Sequence, residues 1–390
     1  MRTQVAIVGG GPAGLLLSQL LAQSGIDSVV LESRPKEYAE GRVRASVLEP
    51  ATVRSLRDAG VGGRLGQEGI VLDSLQLRFD GEDHRIPIKE LTGGGNITIY
   101  DQQEVVKDLI RARQAAGGRI EFGSEAVGIL NITSERPMVR YRRAGEVREL
   151  ECDVVAGCDG YWGISRSAIP SDACNVYRRD YPFRWLGILS ARADRDVLTY
   201  ASDERGFLLW GLRDAKLTRA YLQWPPNESA EAWSDKRLWN EIGMRLGRPD
   251  IGDSPQAGPI VERATTTLHS FVIEPMQHGR LFLVGDSAHT MPPTAAKGMN
   301  LAVADARLLA EALEVWLRLG RTELVEAYSS TCLRRAWLAE HISWWMTWLL
   351  HRSGDEFDHQ LQRAQLRQIT ESGVAARHFA EWYLGPDCSS

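Results

Sequence analysis

The sequence begins with a glycine-rich turn between an apolar strand and an apolar helix, and this feature limits the fold more than any other. Gly9, Gly11 and Gly14 fit the pattern G-x-G-x-x-G directly after the apolar residues 4–8. The first glycine permits the tight turn, the second lets the backbone approach a pyrophosphate, and the third lets the helix lie close to the strand. The start of that helix offers free N–H groups to phosphates. We therefore predict a βαβ unit that binds a dinucleotide.

Three acidic residues at the ends of apolar runs extend this prediction. The second strand, residues 28–31, ends at Glu32, which is placed to accept hydrogen bonds from a ribose. Asp159 follows another apolar run within Cys158-Asp159-Gly160, and Asp286 follows residues 280–284. An aspartate at the end of such a strand can hold a ribityl or ribose hydroxyl.

The patterning of the remaining chain predicts an α/β fold with an inserted sheet. Residues 75–86 and 183–223 alternate apolar and polar side chains, which is typical of half-exposed antiparallel strands, and residues 298–351 look helical. We assign residues 1–73, 98–179 and 268–349 to a discontinuous nucleotide domain, residues 74–97 and 180–267 to a substrate-binding β domain, and residues 350–390 to a C-terminal helical segment.

Composition excludes several classes of function. The net charge of −5 and the 25% of charged residues favour neither a nucleic-acid surface nor a membrane-binding face. No apolar run reaches the ~18 residues of a membrane-spanning helix. The five cysteines form no CxxC pair, so we expect neither disulfides nor a metal site. Because the chain enters a strand at once, we also expect no signal peptide and a cytoplasmic location.

A second glycine-containing turn leads into the predicted C-terminal helices. Residues 292–298 read Pro-Pro-Thr-Ala-Ala-Lys-Gly, and a helix is predicted to start at Gly298. The amides of Gly298, Met299 and Asn300 would then face outward from a helix start, where they can stabilise negative charge on a ring carbonyl. A reduced flavin carries such a charge at its pyrimidine end.

These motifs, in this order and at these separations, resemble the class A flavoprotein monooxygenases. The resemblance to the para-hydroxybenzoate hydroxylase family covers essentially the whole chain, and residues 41–45, 158–160, 181–183, 271–282 and 343–347 carry it. It implies an FAD-binding Rossmann-like domain of the glutathione-reductase type. It also implies a homodimer. We expect the Trp-rich residues 344–348 either to be buried within the helical region or to provide a subunit contact.

The resemblance further implies the reaction. NADPH or NADH reduces the flavin, molecular oxygen is the co-substrate, and a flavin C4a-hydroperoxide hydroxylates a phenolic acid of the 4-hydroxybenzoate type. The protein must deprotonate the phenol, because a phenolate directs and accelerates the attack. It must also exclude water, since the hydroperoxide otherwise collapses to hydrogen peroxide.

Five residues match positions of the family that contact the substrate. The resemblance implies that Tyr200 hydrogen-bonds the phenol oxygen, that Tyr383 relays its proton, and that the carbonyl of Pro293 touches the same oxygen. It also implies that Arg213 clamps the substrate carboxylate through a charge-assisted fork and that Tyr221 adds a further carboxylate contact.

Further residues match cofactor contacts of the family. Expected FAD contacts, besides the three glycines of the first turn, are Glu32, Arg42, Arg44, Gln102, Asp159, Arg219, Asp286, Lys297, Gly298, Met299 and Asn300. Expected contacts with the nicotinamide cofactor are Arg42, Arg166, Trp162 and His269. The family has a histidine in place of Trp162 and an arginine in place of His269, so the sequence does not choose between NADPH and NADH.

Three other departures from the family concern the substrate site. Gly211 replaces a serine that contacts the substrate carboxylate, and both Gly211 and the neighbouring Trp210 are expected to contact the substrate in a reshaped pocket. Leu72 replaces the histidine at the end of the proton relay and cannot carry a proton. Ala295 replaces a glycine, so the backbone must differ if that position needs a positive φ.

Alternative functions remain open at this point. Gly211, Trp210 and Leu72 are compatible with an amino-substituted substrate such as 3-amino-4-hydroxybenzoate, because an amine itself activates the ring. A flavin NAD(P)H oxidase or sensor without oxygen insertion is a second alternative, and a dinucleotide-dependent dehydrogenase without flavin is a third.

Overall fold

The computed structural model describes residues 1–42, 46–191, 198–214, 216–225, 228–229, 232–252 and 257–385. Its helices are α1 (Pro12–Gln23), α2 (Lys36–Gly41), α3 (Pro50–Asp58), α4 (Gly62–Glu68), α5 (Ile88–Leu91), α6 (Gln102–Ala115), α7 (Asp235–Arg245), α8 (Gly298–Leu319), α9 (Glu323–Leu350), α10 (Glu356–Glu371) and α11 (Gly373–Leu384). Its strands are β1 (Val5–Val8), β2 (Ser28–Glu32), β3 (Val47–Leu48), β4 (Ile70–Leu72), β5 (Leu75–Phe79), β6 (Glu82–Ile86), β7 (Ile97–Ile99), β8 (Arg119–Phe122), β9 (Ser124–Leu130), β10 (Met138–Arg143), β11 (Glu146–Glu151), β12 (Val154–Gly157), β13 (Asn175–Ser190), β14 (Thr199–Asp203), β15 (Gly206–Leu212), β16 (Thr218–Trp224), β17 (Ile260–Glu274), β18 (Gln277–His278), β19 (Leu281–Leu283) and β20 (His289–Thr290).

A six-stranded sheet in the order β18-β19-β12-β1-β2-β8 carries the glycine-rich turn. Strand β1 lies between β2 and β12 and is parallel to both. All four of its residues are buried, as a strand covered on both faces requires. Helix α1 connects β1 to β2, so the predicted βαβ unit and the α/β fold class are confirmed.

An eight-stranded sheet in the order β20-β17-β13-β16-β15-β14-β5-β6 forms the second layer. Its pairs are antiparallel as predicted, except that β14 and β5 run parallel. Strand β5 comes from an early segment of the chain and joins the edge of the meander formed by β14, β15 and β16. Helix α7 covers one face of the sheet, and helices α9–α11 cover the other.

Two long strands, β13 and β17, continue from the predicted nucleotide domain into the predicted substrate domain. Strand β13 runs across the proposed boundary at residues 179 and 180, and β17 runs across the boundary at residues 267 and 268. They pair in register from Asn175↔Glu274 to Ser190↔Ile260, with two bulges. The proposed boundaries therefore fall within continuous hydrogen-bonded strands, and these strands hold the substrate sheet in a fixed position against the nucleotide-binding sheet.

The Trp-rich end of α9 packs against the C-terminal helices. Trp345 stacks on Trp382 with ring centroids 5.3 Å apart and donates a hydrogen bond from Nε1 to Gln365. Trp348 joins the same apolar cluster. These side chains make contacts within the chain, as expected for helical burial, and the subunit contact at residues 344–348 stays a prediction. Among the described residues, no helix has both the length and the hydropathy needed to cross a bilayer.

Candidate active site

The glycine-rich turn shows why glycine is needed at each of its motif positions. Gly9 has φ +107°, and a Cβ there would lie 2.3 Å from the carbonyl oxygen of Cys158. A Cβ on Gly14 would lie 2.1 Å from the carbonyl oxygen of Gly9, so these two glycines make room for neighbouring backbone. A Cβ on Gly11 would have no described protein atom within 4 Å. Gly11 therefore leaves open the space in which the motif places a pyrophosphate.

Two carboxylates near this turn have the acceptor capacity that a nucleotide requires. Glu32 accepts from the amides of Gly10 at 2.7 Å and Arg34 at 2.8 Å, and its oxygens retain lone pairs for a ribose. Oδ2 of Asp159 accepts from the amide and hydroxyl of Ser165. Oδ1 of Asp159 is buried and has no partner among the described residues. Burial also raises the pKa of Asp159. The unpartnered Oδ1 is an acceptor that a hydroxyl of a bound nucleotide fits.

The residues expected at the flavin lie around the start of α8. Gly298, Met299 and Asn300 form its first turn, where backbone amides have no acceptor within the helix. The side chain of Asn300 accepts from the amide of Glu49 and donates to the carbonyls of Val47 and Ala296. Because these contacts fix the helix start, its amides are held in place before any ligand arrives.

The backbone before α8 shows which residue there has a positive φ, a point that the replacement of a family glycine by Ala295 made important. The left-handed residue is Ala296, with φ +54°, whereas Ala295 lies in the preceding 3-10 turn and is buried. The methyl group of Ala295 therefore causes no strain of the kind expected at a positive φ. The carbonyl of Pro293 accepts from the amide of Ala296 at 3.0 Å, which leaves one lone pair for a substrate hydroxyl.

The buried Lys297 connects the helix start to the C-terminal helix. Its ammonium group donates to Glu49 at 2.6 Å and to the carbonyl of Tyr383. Burial is the largest influence on Glu49 and raises the pKa of its carboxyl, although the charge of Lys297 acts in the opposite direction. The pair thus holds Tyr383 in place through its backbone.

Replacing Lys297 by methionine is expected to destabilise the fold by about 3–5 kcal/mol, because Glu49 would remain buried without its partner. The loss should be larger at pH 8 than at pH 5, since the unpaired carboxyl can stay neutral only at low pH. Urea unfolding at equal FAD saturation measures the effect. The double variant Lys297→Met/Glu49→Gln is the control and should recover most of the stability; an equally unstable double variant would contradict the explanation.

The two tyrosines expected to activate the phenol meet in the core. Their hydroxyl oxygens lie 2.7 Å apart, and both residues are 1% exposed. Tyr200 comes from β14 and Tyr383 from α11. Burial raises the pKa of both phenols above the ordinary value. Both hydroxyls are therefore protonated at neutral pH, and each can donate one hydrogen bond while accepting another.

The register of the sheet places the other candidate side chains on the same face as Tyr200. Leu209 of β15 lies opposite both Tyr200 and Tyr221. Gly211 is two residues further along β15 and lies opposite Arg219. Since side chains alternate between the faces of a strand, these positions share one side of the sheet.

Gly211 and Trp210 have roles that the sequence did not indicate. A Cβ on Gly211 would lie 2.8 Å from Cδ1 of Leu198, so Leu198 fills the space left by the missing side chain. Trp210 points to the opposite face, where its ring packs at 6.0 Å from Trp239 of α7. The expectation that Trp210 contacts the substrate is therefore wrong, because adjacent strand residues face opposite sides.

Arg213 is engaged by a carboxylate of the protein itself. Its Nε donates to Oδ2 of Asp101 at 2.6 Å, and both side chains are buried. Asp101 immediately precedes α6, whose first residue is Gln102, an expected FAD contact. Helix α6 therefore links the cofactor region to the arginine end of the substrate site.

The residues expected at the nicotinamide cofactor gather around Tyr161. Trp162 and His269 lie with their ring centroids 4.8 Å and 4.5 Å from that of Tyr161. Arg166 donates to the carbonyl of Tyr161 and lies 4.3 Å from the ring centre of Phe271. Burial lowers the pKa of His269, which keeps its imidazole neutral.

The remaining expected residues occupy different surroundings. Arg42 is exposed at the end of α2, and Asp286 lies in a 3-10 turn before β20. Arg44 lies outside the described residues. Leu72, at the end of β4, packs against the apolar cluster that contains Tyr200 and Tyr383. The sequence did not single out Asp101 or Glu49, because each of them pairs with a side chain distant in sequence. It also missed Tyr161, which contacts both its neighbours Trp162 and Arg166 and the distant His269.

Comparisons with known proteins agree with this geometry. The FAD binding domain family matches residues 2–343. The p-hydroxybenzoate hydroxylase of Acinetobacter baylyi is 41% identical over 388 residues, which covers 99% of this chain and 96% of that protein. A 3-(3-hydroxy-phenyl)propionate/3-hydroxycinnamic acid hydroxylase of Burkholderia cenocepacia is 28% identical over 79% of this chain and 56% of that protein.

A solved structure extends the comparison to the fold. The p-nitrophenol 4-monooxygenase of Pseudomonas putida superposes with a TM-score of 0.83 at 18% identity and covers 98% of this chain and 99% of that one. The family match and the 41% identity to p-hydroxybenzoate hydroxylase confirm the expectation of an FAD-dependent aromatic hydroxylase. The chain belongs to the class A flavoprotein monooxygenases with an FAD binding domain, within the para-hydroxybenzoate hydroxylase family.

Proposed function

We propose that this FAD-dependent enzyme hydroxylates the ring of a 4-hydroxybenzoate-type phenolic acid, with NADPH or NADH as reductant. The observation that carries the proposal is the buried hydroxyl pair of Tyr200 and Tyr383. The phenol of the substrate meets Tyr200, and the opposite end of the ring extends toward Arg213. The relationship to p-hydroxybenzoate hydroxylase supports this orientation.

The tyrosine pair removes the phenol proton without ionising permanently. Because both tyrosines stay protonated at neutral pH, Tyr200 can accept the phenol proton only as its own proton passes to Tyr383. The resulting phenolate enriches the adjacent ring carbon in electrons. Bound FAD, once reduced, would supply the oxygen-activating chemistry for attack by that carbon. Leu72 cannot extend this relay, so the proton must leave Tyr383 by another route.

The surroundings of the pair protect the reaction from water. Tyr200, Tyr383 and Ala295 belong to one apolar cluster with side chains of α9, α10 and α11. Such a cluster excludes water and strengthens each hydrogen bond inside it. The first-turn amides of α8 would stabilise negative charge on the flavin ring.

The group of residues around Tyr161 would receive the nicotinamide cofactor. Trp162 is 89% exposed, so its ring is available for stacking. Arg166 and the exposed Arg42 supply positive charge for phosphates. These positions support reduction by NADPH or NADH at the surface of the nucleotide domain.

The same proposal includes a homodimer in the cytoplasm. Tyr177 and Trp337 form an exposed edge-to-face pair with ring centroids 5.3 Å apart, next to the exposed Val176. Exposed aromatic groups of this kind are enriched in subunit interfaces. The four described cysteines are free thiols, which suits a reducing compartment. Sedimentation velocity of the wild type and of Trp337→Glu tests the dimer; a monomeric wild type would contradict it.

Coupled turnover tests the proposed reaction. Purified FAD-loaded enzyme is supplied with 4-hydroxybenzoate or an uncharged analogue, and hydroxylated product is measured per NAD(P)H consumed. We expect close to one product per reductant for the preferred phenol. Stoichiometric hydrogen peroxide without hydroxylated product for every phenol tested would instead identify an oxidase. Including 3-amino-4-hydroxybenzoate in the series tests the amino-substituted alternative.

A further inference from the structure

A buried chain of hydrogen bonds links helix α9 to the turn before α8. The hydroxyl of Thr347 donates to the carbonyl of Ser343, four residues earlier in α9, at 2.6 Å. Because that hydroxyl has a single proton, the hydroxyl of Thr294, 2.7 Å away, must be the donor to Thr347. All three residues are fully buried, so water does not compete for these bonds. The direction of each bond in the chain is therefore fixed.

Thr294 lies in the 3-10 turn that borders the tyrosine pair. The carbonyl of Pro293 and the amide of Thr294 form one peptide plane. The amide of Ala296 binds the carbonyl oxygen of that plane, and the bond from Thr294 to α9 holds its other end. Ala295 belongs to the apolar cluster that contains both tyrosines. The hydroxyl chain thus helps to fix a carbonyl group beside the proposed position of the phenol.

The same end of α9 is tied to the sheet that carries Tyr200. Nε1 of Trp185, in β13, lies 2.7 Å from Nε2 of His351, the residue that follows α9. An indole N–H can only donate, so Nε2 of His351 accepts and Nδ1 carries the proton. Nδ1 donates to the carbonyl of Thr347 at 2.8 Å. Burial lowers the pKa of His351 to about 3, so the ring stays neutral and keeps this arrangement at neutral pH.

We propose that Thr347 is a positioning residue that holds the carbonyl of Pro293 at a fixed place relative to Tyr200, where both groups meet the phenol oxygen. The hydroxyl of Thr347 receives the turn, and its carbonyl receives the bond that comes from the sheet. Without that hydroxyl, the donor of Thr294 would stay buried and unpaired, which favours displacement of the turn. The proposal deepens the proposed function and rests on it for the position of the phenol.

The carbonyl of Pro293 acts on the proton of the phenol. A carbonyl oxygen can only accept, so it binds the neutral phenol, raises the pKa of that phenol and repels a phenolate. Tyr200 takes the same proton when its own passes to Tyr383. A fixed turn therefore balances retention of the proton against its release and keeps the ring oriented. A displaced turn would release the proton more easily and hold the ring less firmly.

The variant Thr347→Val tests this role with little change in shape. 4-Hydroxybenzoate bound to the FAD-loaded full chain is titrated, and its ionisation is followed by the near-ultraviolet absorption of the phenolate. Loss of the chain should lower the pKa of the bound phenol by roughly 0.5 to 1. In turnover, hydroxylated product per NAD(P)H should fall at least about twofold, with hydrogen peroxide making up the difference, because small misplacements of a reactant strongly slow its reaction.

Three further variants separate the hydroxyl from the packing around it. Thr347→Ser keeps the hydroxyl and should restore the wild-type pKa and product yield. Thr294→Val removes the donor from the other side and should reproduce the effects of Thr347→Val, with no further change in the double variant. Thr370→Val is the matched control and should behave as the wild type. Thr370, in α10, also donates to the carbonyl four residues earlier, that of Leu366, but binds no second hydroxyl among the described residues.

The outcomes distinguish this proposal from the proposed function. An unchanged pKa of the bound phenol in both valine variants, or a Thr347→Ser variant as impaired as Thr347→Val, would overturn the role of Thr347. A lowered pKa in an enzyme that hydroxylates no phenol would contradict the proposed function and leave the role of Thr347 standing. If Thr347→Val does not fold, Thr294→Val decides, because it breaks the same bond from the side of the turn.

Discussion

Replacing Tyr200 by phenylalanine is expected to lower the rate of product formation by roughly 10²- to 10⁴-fold at pH 7, the range that general acid–base groups supply. The variant keeps the ring and its packing but removes the hydroxyl that lies 2.7 Å from that of Tyr383. The substrate would then remain a neutral phenol, whose ring is a poor nucleophile. Product is measured by chromatography, and FAD content is measured in parallel.

The pH profile distinguishes a lost relay from a damaged fold. With the relay removed, activity should rise with pH toward the intrinsic pKa of the substrate phenol, near ~10 for an unperturbed phenol. Tyr383→Phe should show the same trend with a smaller loss, because Tyr200 would still contact the phenol. Tyr328→Phe is the control, since it also removes a buried tyrosine hydroxyl, one that donates to the carbonyl of Leu283. A Tyr200→Phe variant with wild-type activity at pH 7 would refute the relay.

Local patterns in the sequence were sufficient to predict the nucleotide-binding part of the fold. The G-x-G-x-x-G turn needs glycine at 14 because the carbonyl oxygen of Gly9 leaves no room for a Cβ, and it needs glycine at 9 because the carbonyl oxygen of Cys158, just after β12, does the same. Strand β1 and helix α1 then follow from an apolar run and from helical periodicity. The motif and the apolar periodicity within the first 32 residues were enough to predict this unit, although the close approach of Cys158 to Gly9 comes from the distant strand β12.

The substrate site could be predicted only in part, because it is built from distant segments. The resemblance to the hydroxylase family predicted that Tyr200 and Tyr383 act together on the phenol, and in the structure their hydroxyls are in contact. Trp210 was misassigned because the strand register decides which face a side chain occupies. Asp101 and Arg213 are 112 residues apart, and an aspartate before a helix is ordinarily read as a cap. Such a pair becomes visible only when helix α6 and strand β15 are seen side by side.

The Gly11→Ala variant is expected to fold normally and yet lose FAD. The added methyl group has no described protein atom within 4 Å, so the stability of the FAD-free chain should change little. It would project into the space that the motif leaves for the pyrophosphate, where the backbone must come close to the ligand. We expect FAD affinity to fall at least about a hundredfold, equivalent to the loss of one or two charge-assisted hydrogen bonds.

A comparison of three glycine variants separates a loss of FAD affinity from a loss of stability of the chain. Gly14→Ala should lower the stability of the FAD-free chain itself, because its Cβ would lie 2.1 Å from the carbonyl oxygen of Gly9. Gly63→Ala, in helix α4, also adds a methyl group to open space and should bind FAD like the wild type. Thermal unfolding of each FAD-free chain and fluorescence titration with FAD provide both readouts. A Gly11→Ala variant that retains wild-type FAD affinity would show that the pyrophosphate does not approach the turn at Gly11, and the assigned position of the cofactor would have to be revised.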